Sequence, residues 1–315
     1  MAPLTGDEAV TSAVEGFDEA TLIRRARRSD GRFSIIGIGV LGLSMIVLLA
    51  LIADFTVDGL GRISLDFLIN FPSRRPAEAG ILSAWVGTTL VMITTAILAV
   101  PLGVGAGVYL EEYAPRNIIT HAIEINVTNL AGVPSIIYGL LALGLLVQTF
   151  HLGQTILVAG MTLALLILPI IIVATREALR SIPIEVREAA YGLGADQWQT
   201  VWSYLLPIAR PGILTGAIVG MSRAIGETAP IITIGALTFI AFLPPAPVQA
   251  EFPFVNFDWL NSPFTVMPIQ MFNWISRPQA GFHVNAAATG LILVAMTLIM
   301  NGAAIWLRYR IRSRH

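Results

Sequence analysis

Two charged residues, Arg223 and Glu227, stand inside an otherwise apolar stretch of the chain. Arg223 comes about 12 residues after Pro211, on the order of 18 Å along a helix and therefore near the middle of a bilayer. A spacing of four residues places Glu227 on the same helix face. A charge at that depth costs at least about 2.5 to 3.5 kcal/mol, so the pair should face protein or a water-filled cavity.

The chemistry of this pair suits an oxyanion. The planar guanidinium of Arg223 matches a tetrahedral oxyanion in a bidentate manner. Phosphate near neutral pH still carries a proton and can donate a hydrogen bond to a carboxylate, whereas sulfate cannot. We hypothesise that Arg223 attracts the anion, while Glu227 holds Arg223 and accepts only a protonated oxyanion. The alternative is a structural ion pair that satisfies itself and sets helix register.

The helix that carries the pair also has a close-packing pattern. Gly212, Gly216 and Gly220 repeat every four residues, which lets another helix approach closely. Pro230 has no N–H, so the carbonyl of Gly226 loses its usual helical partner and a kink is expected. The glycines, the kink and the charged pair are therefore predicted to lie along one contact between helices.

A second polar stretch interrupts two long apolar segments at residues 188–207. Pro183 is suited to a helix start, and Gly192 and Gly194 end that helix. Asp196 then forms a candidate capping box with Gln199. The second helix is amphipathic and suited to the membrane surface, with apolar residues at helical spacing: Trp198, Val201, Trp202 and Leu205. The stretch is either a knob whose small residues Ala189, Ala190 and Gly194 admit a partner's backbone, or an ordinary amphipathic connector.

Composition places these features in a membrane protein. Hydrophobic residues make up 55% of the 315 residues and charged residues 12%, against about a quarter charged in ordinary globular domains. The absence of lysine excludes a P-loop, which needs one. The absence of cysteine excludes disulfides and thiolate chemistry. The histidines lack metal-ligand spacing, and neither a nucleophile motif nor a nucleic-acid-binding motif is present, so we expect no metal and no catalytic residues in this chain.

The hydropathy pattern predicts an all-α protein with six transmembrane helices. These lie near residues 33–53, 85–110, 118–150, 155–175, 211–243 and 284–307, and the third and fifth are long enough to require tilt or kinks. With both termini cytoplasmic, four arginines lie outside, namely Arg62, Arg74, Arg75 and Arg277. The others except Arg223 lie inside, as the positive-inside rule requires.

The resulting organisation has four parts. Residues 1–32 form a cytoplasmic tail, expected to be mobile, and residues 33–80 the first span with an external loop. Residues 81–307 form the main membrane-spanning domain, with a cytoplasmic loop at 176–210 and an external loop at 244–283, and residues 308–315 form a basic tail. The aromatic residues of the external loop either belong to the interfacial belt or serve docking.

The cytoplasmic loop resembles the EAA loop of ABC-importer permeases. The matching residues are Glu188, Ala189, Ala190, Gly194, Leu206 and Pro207. Tyr204 departs from the pattern, where an aliphatic residue is usual. The resemblance implies that this loop docks in a cleft of a separate ATP-hydrolysing subunit. ATP and Mg²⁺ would then be bound by that partner, and this chain would need no cofactor.

Three further motifs resemble the PstA-type permeases of the phosphate-specific ABC importer. They are Ser222-Arg223-Ala-Ile-Gly-Glu227-Thr228-Ala-Pro230, Asn129-Leu-Ala-Gly-Val-Pro134-Ser135-Ile-Ile-Tyr138-Gly139, and the stretch from Phe264 to Pro278. The resemblance implies a substrate path at Arg223, Glu227 and Thr228 in a multi-pass protein of the bacterial plasma (inner) membrane. It also implies a PstC-type sister permease, two copies of an ATP-binding subunit, and an external phosphate-binding protein.

The sequence therefore predicts the permease subunit of an ATP-driven phosphate importer that works by alternating access. Import of another oxyanion, such as molybdate or sulfate, is the alternative within the family. A standalone secondary transporter or channel and a membrane-embedded enzyme are the alternatives outside it.

Overall fold

The computed structural model describes the backbone of residues 19–249 and 254–312. Apart from an isolated bridge between Val248 and Val255, the regular structure of these residues is helical. The helices are α1 (Glu19–Gly59), α2 (Leu65–Ile69), α3 (Leu82–Tyr113), α4 (Ile118–Leu130), α5 (Ser135–Thr149), α6 (Ile156–Arg180), α7 (Ile184–Gly192), α8 (Gln197–Gly226), α9 (Ala229–Ile234), α10 (Met267–Ile275) and α11 (Ala280–Arg312).

Among the described residues, five helices are long and apolar enough to cross a bilayer. There are six crossings if the bent pair α4 and α5 counts as one. These helices correspond to the six apolar segments of the sequence, and the predicted all-α membrane fold is confirmed. Several of the helix ends differ from the sequence prediction, and those differences shape the site.

Helix α1 belongs mainly to a unit of its own, residues 1–54, whereas residues 55–315 form a second compact unit. The helix begins at Glu19, so residues 19–32, predicted as a mobile tail, are its first turns. Good helix formers such as Leu22, Arg24 and Ala26 explain the extension. The rest of the predicted tail, residues 1–18, lies outside the described residues, as do residues 313–315 of the basic tail.

The third predicted span is broken, not merely tilted. Helices α4 and α5 meet at 105° across residues 131–134. Pro134 disfavours helical geometry at the residue before it, and Gly132 adds no helix propensity. Each arm therefore packs against a different neighbour.

The centre of the second unit is α6, which lies between α3 and α8. On one side, a Cβ at Gly103 or Gly107 of α3 would come within 2.7 Å of Ile171 or Thr175. On an adjacent face of α6, Gly212 and Gly216 of α8 lie directly against Ala178 and Ala174, while Gly220 is near Ile167 and Ile171. The glycine repeat of α8 thus faces α6, because only small residues allow the two backbones to come this close.

The stretch predicted as an external loop at residues 244–283 folds partly into the core. Trp259, Phe264 and Trp274 are buried, which contradicts both roles expected for them, an interfacial belt and docking. The backbone N–H of Met267 donates to Thr88 Oγ1 at 2.9 Å, and the N–H of Ile156 donates to the carbonyl of Ser262 at 3.1 Å. The stretch therefore closes one end of α3 and α6. Phe254 and Phe257 stay exposed.

Gly216→Leu should prevent α8 from packing on α6. The new side chain would occupy the space of Ala174, and overpacking a tight contact costs about 1 to 3 kcal/mol or more. We expect a melting temperature several degrees lower, or loss of the folded protein, measured by thermal unfolding in detergent. Gly105→Leu is the matched control, since among the described residues nothing beyond its own helical turn lies within 4 Å of a Cβ there. Equal melting temperatures for Gly216→Leu and wild type would contradict this packing.

Candidate anion and coupling sites

The ion pair predicted from the sequence is present at the end of α8. Arg223 Nε lies 3.3 Å from Glu227 Oε1. Helix α8 ends at Gly226, and Glu227 has extended backbone angles (φ −74°, ψ 122°). The expected kink is therefore a complete break, after which α9 starts with Pro230 in its first turn. Glu227 is therefore the first residue beyond the helix and does not lie on its face. The ion pair still forms because the chain leaves the helix only after Gly226, which keeps Glu227 close to Arg223.

The break leaves backbone groups without helical partners. The carbonyl of Gly226, which was predicted to lose its partner, accepts a hydrogen bond from Thr228 Oγ1 at 3.5 Å. Thr228 therefore lies directly beside the ion pair. In this chain the Thr228 hydroxyl donates its hydrogen bond to a backbone carbonyl.

The carboxylate of Glu227 borders a cavity of about 10 Å³. This volume suits one water molecule and is too small for a tetrahedral oxyanion. Thr88 is the other polar residue of its lining; the remainder are apolar, namely Val91, Met92, Leu163, Ala224, Ile225, Ile231 and Val266. Glu227 therefore faces inward, with 18% of its side chain exposed, whereas Arg223 is 37% exposed on the surface of the chain.

The depth of the pair can be gauged along α6. Leu163, which lines the same cavity as Glu227, is the eighth residue of α6, about 10 Å from its start at a rise of about 1.5 Å per residue. The 25 residues of α6 extend over about 36 Å at the same rise. The pair therefore lies about 8 Å from the midpoint of α6, toward the end that the arginine distribution places outside.

Two neighbouring contacts hold the end of α8 and the start of α9. Ser222 Oγ lies 2.6 Å from Asn301 Oδ1 of α11 and also bonds the carbonyl of Ile218. On α5, Gly139 lies directly against Pro230 and Thr233. The sequence prediction assigned no role to Asn301, because its distance along the chain gives no indication of this contact.

The predicted coupling loop consists of α7 and the first turns of α8. Gly194 has φ +87°, a conformation that glycine adopts without strain, and the space around it is open. Glu188, Ala189 and Leu193 are exposed beside it. Ala190 is buried against the chain's own residues, so it does not offer the open surface that was predicted.

The capping box of Asp196 and Gln199 is present in both directions. The helix that follows is not a separate surface helix, since it passes through a π-helical turn, Thr200–Leu205, directly into the span. Leu206 and Pro207 lie inside this continuous helix, half-buried. The π turn also divides the predicted apolar face: Val201 and Leu205 are buried, whereas Trp198 and Trp202 are exposed and stacked 5.6 Å apart.

An ion-pair cluster, which the sequence prediction missed, lies beside the coupling loop. It comprises Glu111, Glu112, Glu124, Arg176, Arg180 and Arg187. Two adjacent glutamates at the end of a span and two arginines four residues apart at the end of another were the available signal. These two pairs of residues would have predicted a cluster only if the two spans had been known to be neighbours, which the sequence does not show.

Comparisons with known proteins identify the family of this chain. The family described as binding-protein-dependent transport system inner membrane component matches residues 99–313. A probable ABC transporter permease, YqgI of Bacillus subtilis (strain 168), is 31% identical over 266 residues, 83% of this chain and 88% of that protein. The phosphate transport system permease protein PstA 1 of Mycobacterium tuberculosis (strain CDC 1551 / Oshkosh) is 34% identical over 228 residues, 72% of this chain and 70% of that protein.

A solved structure shares the fold. It is an inward-facing conformation of the MetNI methionine ABC transporter, with a TM-score of 0.55 and 18% identity, covering 73% of this chain and 95% of that one. Together with the broken third span and the multiple apolar helices, these matches establish a multi-pass inner-membrane protein. The chain belongs to the family of binding-protein-dependent transport system inner membrane components and is a permease of the ABC-importer type.

Proposed function

We propose that this chain is the permease subunit of an ATP-driven importer of inorganic phosphate, working by alternating access. The observation that carries the proposal is the Arg223–Glu227 pair, held at a helix break with its guanidinium on the surface of the chain. A cation on a lipid-facing surface would be costly, so this surface is expected to face protein or water.

A second permease chain is expected to complete the anion path. The cavity beside Glu227 is too small for phosphate, so the anion passes outside this chain's own core, along the surface that presents Arg223. A sister subunit of the PstC type on that surface would enclose the path. An external phosphate-binding protein would deliver the anion.

Phosphate is favoured over other oxyanions by the carboxylate. Glu227 beside Arg223 repels a fully deprotonated anion and accepts a hydrogen bond from one that retains a proton. The relative from Mycobacterium tuberculosis, named as a phosphate transport permease, supports the same substrate. Molybdate or sulfate is the second candidate. The family assignment disfavours a standalone secondary transporter or a membrane-embedded enzyme.

ATP hydrolysis is assigned to two copies of a separate subunit. A chain without lysine lacks the P-loop lysine that contacts nucleotide phosphates. The docking surface that we propose for that subunit is the exposed edge of α7, with Glu188 and Ala189, together with Gly194 in the turn that follows. ATP and Mg²⁺ would therefore be bound by the partner, and this chain would be non-catalytic.

Vesicles that contain the whole complex should take up labelled phosphate only when ATP is supplied. Arsenate, which also retains a proton near neutral pH, should compete with phosphate, whereas sulfate and molybdate should compete poorly. Uptake by this chain alone, without ATP, would contradict the ABC-importer mechanism. Strong competition by sulfate would contradict the role of Glu227.

Arg223→Gln should lower phosphate uptake by about 100-fold or more, because a bidentate charged contact in a low-dielectric path is lost. Arg223→Lys should retain part of the activity, since the charge remains but the fork is lost. The ATP-binding subunit should co-purify with both variants. Arg75→Gln is the control, because Arg75 is exposed and pairs with exposed Glu78 at 2.9 Å. Wild-type uptake by Arg223→Gln would show that the pair is structural.

Glu227→Gln should weaken discrimination against sulfate. The amide can donate a hydrogen bond to an unprotonated oxygen, which the carboxylate cannot. We expect the sulfate concentration that halves phosphate uptake to fall about tenfold or more, equivalent to about 1.4 kcal/mol. An unchanged ratio of sulfate to phosphate affinity, measured by competition, would assign selectivity to another residue.

A further inference from the structure

Arg176 of α6 is a buried charge that the anion path does not use. The residue is only 8% exposed. Its Nη2 lies 2.7 Å from Glu124 Oε1 of α4, and its Nε lies 3.3 Å from Glu111 Oε2 at the end of α3. Burying such a group is costly, and a buried ion pair stabilises a fold little more than apolar residues of the same size would. Its position between two separate helices indicates a role other than stability.

Helix α4 is held loosely by other contacts. None of its residues, Ile118–Leu130, is buried. Cavities of about 890 Å³ and 390 Å³ border it, and both are lined by His121, Glu124, Arg176 and Arg180. An ion pair in the middle of such a helix can decide where the helix lies, because few packed side chains compete with it.

The ion-pair cluster continues from Arg176 to the coupling loop. Glu111 also pairs with Arg180 at 3.3 Å, and the adjacent Glu112 pairs with Arg187 of α7 at 2.6 Å. The hydrogen bond from Arg187 to Glu112 raises the pKa of Arg187 above its ordinary value, so Arg187 keeps its charge at physiological pH. Gln197 of α8 donates to the carbonyl of Glu112 at 2.5 Å. Both helices that flank Gly194 are therefore tied to Glu112.

In the other direction, α4 leads to the anion site. The hydroxyl of Tyr138 on α5 donates across the break to the carbonyl of Leu130, the last residue of α4, at 2.9 Å. The next residue, Gly139, lies against Pro230 and Thr233. Helix α9, which contains both, starts two residues after Glu227. A shift of α4 therefore has a continuous route of contacts to the break that carries the anion site.

We propose that Arg176 and Glu124 are positioning residues for transport, which make α4 follow the movements of the coupling loop. The inference rests on the proposed function, since it assumes that the loop is moved by an ATPase. Glu112 would pass the movement of α7 and α8 to the end of α3, and Glu111 would pass it to Arg176. The pair Arg176–Glu124 would then set the position of the broken span beside the anion path. Contiguity alone does not establish coupling, so the test has to separate transport from ATP hydrolysis.

The test uses the complete complex in vesicles and measures phosphate taken up per ATP hydrolysed. Glu124→Gln removes the charge on α4 but retains an oxygen that can accept from Arg176. Arg176→Lys retains the charge but cannot contact Glu111 and Glu124 with a planar fork. We expect each variant to lower the ratio at least tenfold while ATP hydrolysis stays within about twofold of wild type. In the double variant, the ratio of phosphate taken up to ATP hydrolysed should be no lower than in the more impaired single variant. Both substitutions remove the same interaction, so their effects should not add.

Glu177→Gln is the matched control. Glu177 lies one residue beyond Arg176 on the same helix, is 65% exposed, and pairs with Arg180 at 3.7 Å. This variant should keep the wild-type ratio. An unchanged ratio in Glu124→Gln and Arg176→Lys, a parallel loss of uptake and hydrolysis, or failure of both variants to assemble would each overturn the proposal. Each variant is compared with the wild-type complex. If the wild-type complex itself showed no ATP-dependent phosphate uptake, that result would instead overturn the proposed function.

Discussion

The packing of α6 between α3 and α8 is the constraint on which the rest of this structure depends. Lipid provides no hydrophobic force between helices, so close backbone contact has to supply the attraction. Gly103 and Gly107 allow α3 to approach α6, and Gly212 and Gly216 allow α8 to approach on an adjacent face. Both charged features lie close to this contact along the chain. Arg223 lies three residues beyond the last glycine of the α8 repeat, and Arg176 lies between Ala174 and Ala178, the two residues that receive that repeat.

Breaks in helices supply polar backbone groups beside the packed centre. Helix α8 ends beside Arg223, and the chain turns so that Glu227 faces inward. The break between α4 and α5 similarly separates an arm without buried side chains from an arm that contacts α9 through Gly139. A backbone that leaves helical geometry inside a membrane has to be buried in protein or line a water-filled path. Both breaks are thus consistent with a route for solvent and anion.

Arg176 and Arg223 differ in how their charges are compensated. Arg176 is surrounded by the chain's own carboxylates, and its charge is matched inside the fold. Arg223 has one carboxylate beside it and exposes more than a third of its side chain. A surface of that kind is incomplete in a single chain. It becomes a low-energy arrangement only when another subunit, water or an anion faces it.

The sequence by itself determined the class of protein and the identity of the central ion pair. Apolar segment lengths, the arginine distribution and the four-residue spacing of Arg223 and Glu227 depend on local periodicity, which the chain shows directly. The glycine repeat at Gly212, Gly216 and Gly220 and the capping box at Asp196 depend on local spacing for the same reason.

Only the tertiary structure decided which elements meet. It turned the expected kink at Pro230 into a helix end, joined the second loop helix to a span, and buried Trp274, which the sequence had assigned to an external loop. It also brought Glu111, Glu124 and Arg176 together. Such contacts join residues far apart in the chain, and their free energy depends on which helices are neighbours. Periodicity within one helix indicates which face packs, but it carries no information about the partner that the face will contact.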